Sequence, residues 1–289
     1  MTAAAHQNAN RIGTDDIPVR HMDFEFDDSI PTFWFGNDPL RSMILTALSG
    51  TFPEGERMFM RSVRHFQKAI KNPELKKQVK AFIGQEAHHG KEHESFNNMM
   101  SRKGIPVDQI DKFTKIGLGR QEKFYSPERL LAKTCALEHF TALFAETLLA
   151  HPELIDEVDE SLKPLWIWHA IEESEHKSVA YDVYQEQVGG YWIRVSEMAI
   201  TTLLFSFFST LHTAQLLHAA KDLPKQKTSL RQRAKGLWKH REVFAELGKH
   251  YISYYSPSFH PTQKDSSDLR NKGLAMLTQY VGEKANISA

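Results

Sequence analysis

Four glutamates and three histidines in this chain are spaced as metal ligands are spaced. Glu86 and His89 form a Glu-x-x-His doublet, and Glu173 and His176 form a second. Residues three apart share a face of a helix, so each doublet directs two donors at one point. A lone glutamate precedes each doublet: Glu56 stands 30 residues before Glu86, and Glu138 stands 35 before Glu173. His169 lies one helical turn before Glu173 on the same face, either as a further donor or as a core histidine hydrogen-bonded to a ligand carboxylate. Carboxylates and imidazoles together hold divalent or trivalent cations. The donor set therefore predicts two metal ions, with iron first and manganese, mixed iron/manganese or zinc as alternatives.

Rigid helices must carry these donors, and the flanking sequence predicts them. Asp38-Pro39, Asn72-Pro73 and Ser126-Pro127 each place a capping side chain before a proline, the signature of a helix start. The first helix runs from about Leu40 to about Lys71, with a kink or break expected at Pro53 and Gly55. The second runs from Asn72-Pro73 to about Arg102. The stretch from Val107 to Tyr125, with Gly117 and Gly119, reads as a crossover. The third helix ends near Ala150, and the fourth extends from about Ser161 to about Val188. Apolar residues at steps of three and four mark one buried face on each. Phe59 and Val63 follow Glu56, Val79 and Phe82 precede Glu86, Leu131 precedes Glu138, and Ala180 and Val183 follow His176. Each seam is apolar at its ends and acidic or histidine-bearing in the middle. Ionised carboxylates at a dry core cost several kcal/mol unless they are paired or bound to metal. The expected fold class is therefore all-α, a four-helix bundle with additional C-terminal helices around two metal ions.

Some positions stay open. Glu56 lies on the seam and Glu54 off it, but a kink at Pro53 would change that. Glu172 also faces inward and competes with Glu173. His93, one turn beyond His89, is expected beside the ligands or in a substrate pocket rather than among them.

This layout resembles the ferritin-like di-iron carboxylate proteins, in which two helices give a Glu each and two give Glu-x-x-His. His169-x-x-x-Glu173-x-x-His176 is similar to the di-iron arylamine N-oxygenases, which implies His169 as a seventh protein ligand. The stretches Ile17-Pro-Val-Arg, Phe52-Pro-Glu-Gly-Glu-Arg, Gln85-Glu-Ala-His-His, Glu172-Glu-Ser-Glu-His-Lys-Ser-Val-Ala-Tyr-Asp and Phe259-His-Pro resemble a bacterial family labelled "predicted metal-dependent hydrolase". That likeness spans roughly residues 17 to 262 and implies metal binding.

Composition narrows the classes further. Lys and Arg total 36, as do Asp and Glu, so no broad positive field favours nucleic acid. Cys135 is the single cysteine, which excludes an intrachain disulfide and suits a reducing cytoplasm. Residues 1–16 lack an apolar signal core and read as a disordered lead-in. Residues 17–262 form the metal domain and 263–289 a tail. A fifth helix, 193–219, is apolar nearly all round; a buried or homodimer role, a membrane-surface contact and a membrane span are its alternative readings. A basic helix is expected over roughly 229–251. The expected function is an O2-dependent di-iron oxidoreductase, an oxygenase or hydroxylase acting on an apolar or aromatic small molecule. The alternatives are a two-metal hydrolase and an iron-binding or storage protein.

Overall fold

The computed structural model describes residues 17–223 and 241–281. The lead-in 1–16 and the first half of the basic segment, 229–240, lie outside the described residues. Among the described residues the chain is all-α and forms no strand, apart from one antiparallel bridge between Phe35 and Val158.

The capped starts set the helix boundaries. Asp38 accepts from the Arg41 amide at 2.9 Å and opens α1, Pro39–Ser49. Asn72 accepts from the Glu74 and Leu75 amides and opens α3, Pro73–Arg102; between them lies α2, Phe52–Phe66. The expected interruption falls at Gly50–Thr51. Pro53 then sits in the first turn of α2, where its missing N–H has no partner to lose. Gly104, at φ +82°, terminates α3 in a conformation that costs glycine nothing.

The stretch read as a crossover is instead α4, Val107–Phe124. Two interior glycines cost a helix about 1 kcal/mol each, which argues against it locally. Full burial of Val107 and Ile110 against α2 and α3 outweighs that cost. Next come α5, Pro127–Ala150, capped by Ser126, and the short α6, Pro152–Asp156. The expected fourth helix divides into α7, Lys163–His176, and α8, Val179–Gln187. Then follow α9, Tyr191–Ala219, and α10, Arg241–Ser253. The segment expected to be a tail contains α11, Ser267–Val281. It packs along α7 and α5, with Leu277 fully buried. Gly273 allows this approach, because a Cβ there would lie 2.8 Å from Ile171 Cγ1.

Helices α2, α3, α5 and the α7–α8 pair form a four-helix core. Two apolar clusters occupy its ends. One gathers Phe96, Met99, Leu149, Leu165 and Trp168 with the N-terminal arm, which buries Met22, Phe26 and Trp34 there. The other gathers Phe59, Val63, Val79, Phe82, Leu131 and Val183. Helices α3 and α5 and the α7–α8 pair pass from one cluster to the other through a polar middle, whereas α2 joins only the second. Helix α9 packs on α5 and α1 but leaves Leu203 73 % and Phe207 62 % exposed. It is the one helix among the described residues long and apolar enough, by length and composition, to cross a membrane.

Candidate metal centre

The polar middle brings Glu56, Glu86, His89, Glu138, His169, Glu173 and His176 together, all of them buried. Three overlapping trios have donor atoms within 4.8 Å of one another: Glu56–His89–His169, Glu86–His89–Glu173 and Glu86–Glu138–His176. His176 Nε2 lies 3.1 Å from Glu86, 3.4 Å from Glu138 and 3.5 Å from Glu173. His89 Nδ1 lies 3.4 Å and His169 Nε2 2.9 Å from Glu173 Oε1. Helical spacing fixes which side chains meet, because both doublets sit in mid-helix between apolar ends.

The two members of each neighbouring acid pair are placed differently. Glu56 faces the cluster, whereas Glu54 points to Arg57 at 2.7 Å and Lys115. Glu173 faces the cluster, whereas Glu172 binds Arg20 at 3.2 Å and accepts from His89 Nε2 at 3.1 Å.

Hydrogen bonds on the outer side of the three rings select which nitrogen is directed at the cluster and would be the one to take a cation. Gln85 donates through Nε2 to Pro18 O and Glu175, so its Oε1 is an acceptor and His176 Nδ1 must donate to it, at 2.9 Å. Glu172 accepts only, so His89 Nε2 carries the proton. Asn97 Nδ2 donates to Ser49 O, and its Oδ1 accepts from the Ser49 hydroxyl. That hydroxyl oxygen then accepts from His93 Nδ1 at 2.8 Å, leaving His93 Nε2 to accept from His169 Nδ1 at 2.5 Å. The inner nitrogens of His89, His169 and His176 are thereby the ones directed at the four carboxylates.

Such an arrangement is self-repelling without positive charge. Glu56 Oε2, both oxygens of Glu86 and Glu138, Glu173 Oε2, His89 Nδ1 and His176 Nε2 are buried without a hydrogen-bond partner. Burial, and then the neighbouring carboxylates, push the Glu86 carboxyl well above its ordinary range; burial likewise pushes Glu56 to about 8 and Glu138 to about 7. Against the opposing effect of burial, the facing carboxylates raise His89 and His176. Burial holds His93 and His169 down, so both are neutral, as the relay requires. Orphaned anionic and lone-pair donors around one space fit a pair of cations.

Sequence reading did not assign roles to Gln85, Arg20, Ser49 or Asn97. Gln85 lies beside Glu86 and faces the opposite seam, a weak signal; the others are visible only in three dimensions. His93 stands beside His169, as expected of a residue next to the ligands.

A cavity of about 230 Å³ reaches this centre, with Glu56 and Glu173 in its wall. It lies between α2, α4, α5 and α9. The N-terminal arm takes no part in its wall and packs on the aromatic cluster around Trp168.

No curated protein and no solved structure matches the chain. A family model described as "Predicted metal-dependent hydrolase" matches residues 18–265. That match overturns the expected O2-dependent di-iron oxidoreductase, because the family is described by hydrolysis. The donor set does not separate the two chemistries: carboxylates and imidazoles around two cations equally suit the activation of water. The match covers the arm, every core helix and the loop that ends at α11, and the chain therefore belongs to the predicted metal-dependent hydrolase family.

Proposed function

We propose that this protein is a two-metal hydrolase whose cations are held by Glu56, Glu86, His89, Glu138, His169, Glu173 and His176. The supporting observation is the set of buried side-chain oxygens and nitrogens on these residues that lack a hydrogen-bond partner. The pairing of two lone-glutamate helices with two doublet helices supports a ferritin-like arrangement of the core. The carboxylate-rich set favours iron or manganese over zinc, which prefers four ligands rich in histidine or cysteine.

When bound, such a pair supplies Lewis-acid polarisation of a carbonyl or phosphoryl oxygen and lowers the pKa of water. The chain does the rest. Gln85, Glu172 and His93 hold the three imidazoles in one tautomer. The two apolar clusters keep bulk water from either end of the centre. Glu56, in the cavity wall, is the carboxylate placed to take a proton from the attacking water. Hydrolysis joins the water oxygen to the electrophilic atom, breaks its bond to the leaving group, and sends the second proton to that group.

The test is elemental analysis of protein purified without chelator, together with a panel of ester, amide and phosphoester substrates. Two metal ions per chain, and turnover that chelator abolishes and iron, manganese or zinc restores, are expected. Metal-free protein, or turnover indifferent to chelator, overturns the reading.

A further inference from the structure

The cavity beside the centre is long, apolar and asymmetric. Its α5 wall runs from Lys133 to Phe144, eleven residues or about 16 Å of helix. The α4 wall runs antiparallel from Phe113 to Gln121, and the α9 wall parallel from Thr201 to His212. The directions follow from ring contacts: Phe140 with Phe205, and Phe113 with Phe208 and His212. One end reaches the surface, where Phe113 is 46 % and Phe144 43 % exposed. The other end is closed around Lys133, Gln121 and Thr201, with Lys133 only 6 % and Thr201 only 2 % exposed.

Gly55, in the first turn of α2, and Gly117, in the middle of α4, line this space, and a Cβ at either would meet nothing within 4 Å. Gly117 weakens its helix by about 1 kcal/mol relative to alanine, and both preserve the width of the cavity. The closed end is polar and carries a buried ammonium. Lys133 donates to the neutral Gln121, and the facing carboxylate, Glu197, which does not line the cavity, is bound by Arg129. Within the cavity wall Lys133 therefore has no carboxylate hydrogen-bonded to it. Thr201 Oγ1, one turn beyond Glu197, has no hydrogen-bond partner. Burial pushes Lys133 down to about 8, as it does an ammonium lacking a full counter-charge. Glu138, in the centre, lies five residues or about 7.5 Å along α5 from Lys133.

We infer that the substrate is a straight-chain acyl group joined through an amide or ester to a small carboxylate-bearing group, with the carboxylate on Lys133 and the chain running toward Phe113 and Phe144. The inference rests on the hydrolase reading and gives it a substrate class. The scissile carbonyl then lies beside Glu56 and Glu173, between an anchored head and an apolar tail. Water adds its oxygen to that carbonyl carbon, the C–N or C–O bond breaks, and the departing amine or alcohol takes a proton.

The test uses calorimetric binding of N-dodecanoylglycine to the metal-loaded protein, alongside its methyl ester and N-acetylglycine. N-dodecanoylglycine is expected to bind, and N-acetylglycine, lacking the chain, is not. Lys133→Met should weaken the acid roughly tenfold or more, the size of a lost charge-assisted bond, and leave the methyl ester within twofold. Gly117→Leu, which fills the cavity one turn along α4 from Gln121, should weaken both acyl ligands. Equal binding of acid and ester, or an unchanged acid affinity in Lys133→Met, overturns the inference. An unchanged affinity would place the carboxylate on the metals instead. The two readings fail separately. Metal-dependent turnover of other substrates without binding of the acyl ligands removes only the substrate class. Binding with the expected variant pattern, but no metal-dependent turnover of any substrate, removes only the hydrolase.

Discussion

His93 Nε2 lies 2.5 Å from His169 Nδ1, and by accepting that proton it would leave His169 Nε2, 2.9 Å from Glu173, free to take a cation. The polarity of this contact is set two residues away, by Asn97 and Ser49. If His93 fixes the tautomer and angle of His169, His93→Leu should lower metal affinity roughly 10- to 100-fold, the usual effect of losing a ligand's supporting partner. Asn97→Leu, which keeps His93 but frees its tautomer, should give a smaller loss. Competition with a chromogenic chelator measures both, and an unchanged affinity in His93→Leu would remove the relay.

Glu86 is fully buried, and neither of its oxygens has a hydrogen-bond partner. Its carboxyl lies well above its ordinary 4.5 through burial first and neighbouring acids second. In cation-free protein the folded state therefore binds more protons than the unfolded state above pH 4.5, and stability falls as pH rises. Glu86→Gln is permanently neutral and escapes this loss. In chelator at pH 8 its Tm should exceed that of the parent by about 2–4 °C for each kcal/mol relieved, with the advantage fading toward pH 4.5. With metal present the order should reverse, because a ligand is gone. Thermal melts with and without chelator supply the comparison.

Metal loading should release protons. Without cations, Glu56, Glu86, Glu138, His89 and His176 are all shifted toward their protonated forms. Cations displace those protons, so affinity should rise with pH between 6 and 8 by roughly the factor that two or more displaced protons imply. Titration in buffers of different ionisation enthalpy counts them. A release of no protons would mean that cations do not enter this cluster.

Glu146 binds Lys177 at 2.7 Å and, with Lys264, ties the segment before α11 to the core. Burial opposes its ionisation, but Lys177 and Ser266 hold its carboxyl below the ordinary 4.5. A depressed folded value gives stability that is present above 4.5 and lost as pH falls through the lower folded value. Glu146→Gln should cost on the order of 3 kcal/mol at pH 7, because Lys177 is left buried and unpaired. The cost should shrink below pH 4. Denaturant unfolding at the two pH values reads the difference.

Gly90 tests how closely the helices must approach at the centre. A Cβ there would lie 3.1 Å from Glu56 Oε2, tighter than ordinary contact. Gly90→Ala should strengthen α3 by about 1 kcal/mol in chelator and weaken metal binding by displacing Glu56. Loss of both stability and affinity would point instead to a general packing defect.

The sequence by itself determined the all-α class, the capped starts at Asp38, Asn72 and Ser126, and the identity of the seven clustered donors. These are legible because helical periodicity is local: a glutamate or histidine in the middle of an apolar seam must face the core wherever the other helices lie. The tertiary structure decided the rest. It showed that Val107–Phe124 is a helix, since burial against α2 and α3 overrides two glycines, and that the segment after Pro261 returns as α11. It separated Glu173 from Glu172, neighbours whose roles depend on whether Arg20, more than 150 residues earlier, reaches one of them. It also supplied the proton positions, because the tautomer of His169 depends on Asn97 and Ser49, which sit on different helices and share no sequence pattern with it. Spacing along one chain fixes which way a side chain points, whereas hydrogen-bond polarity and the choice between adjacent acids are set by partners that only folding brings near.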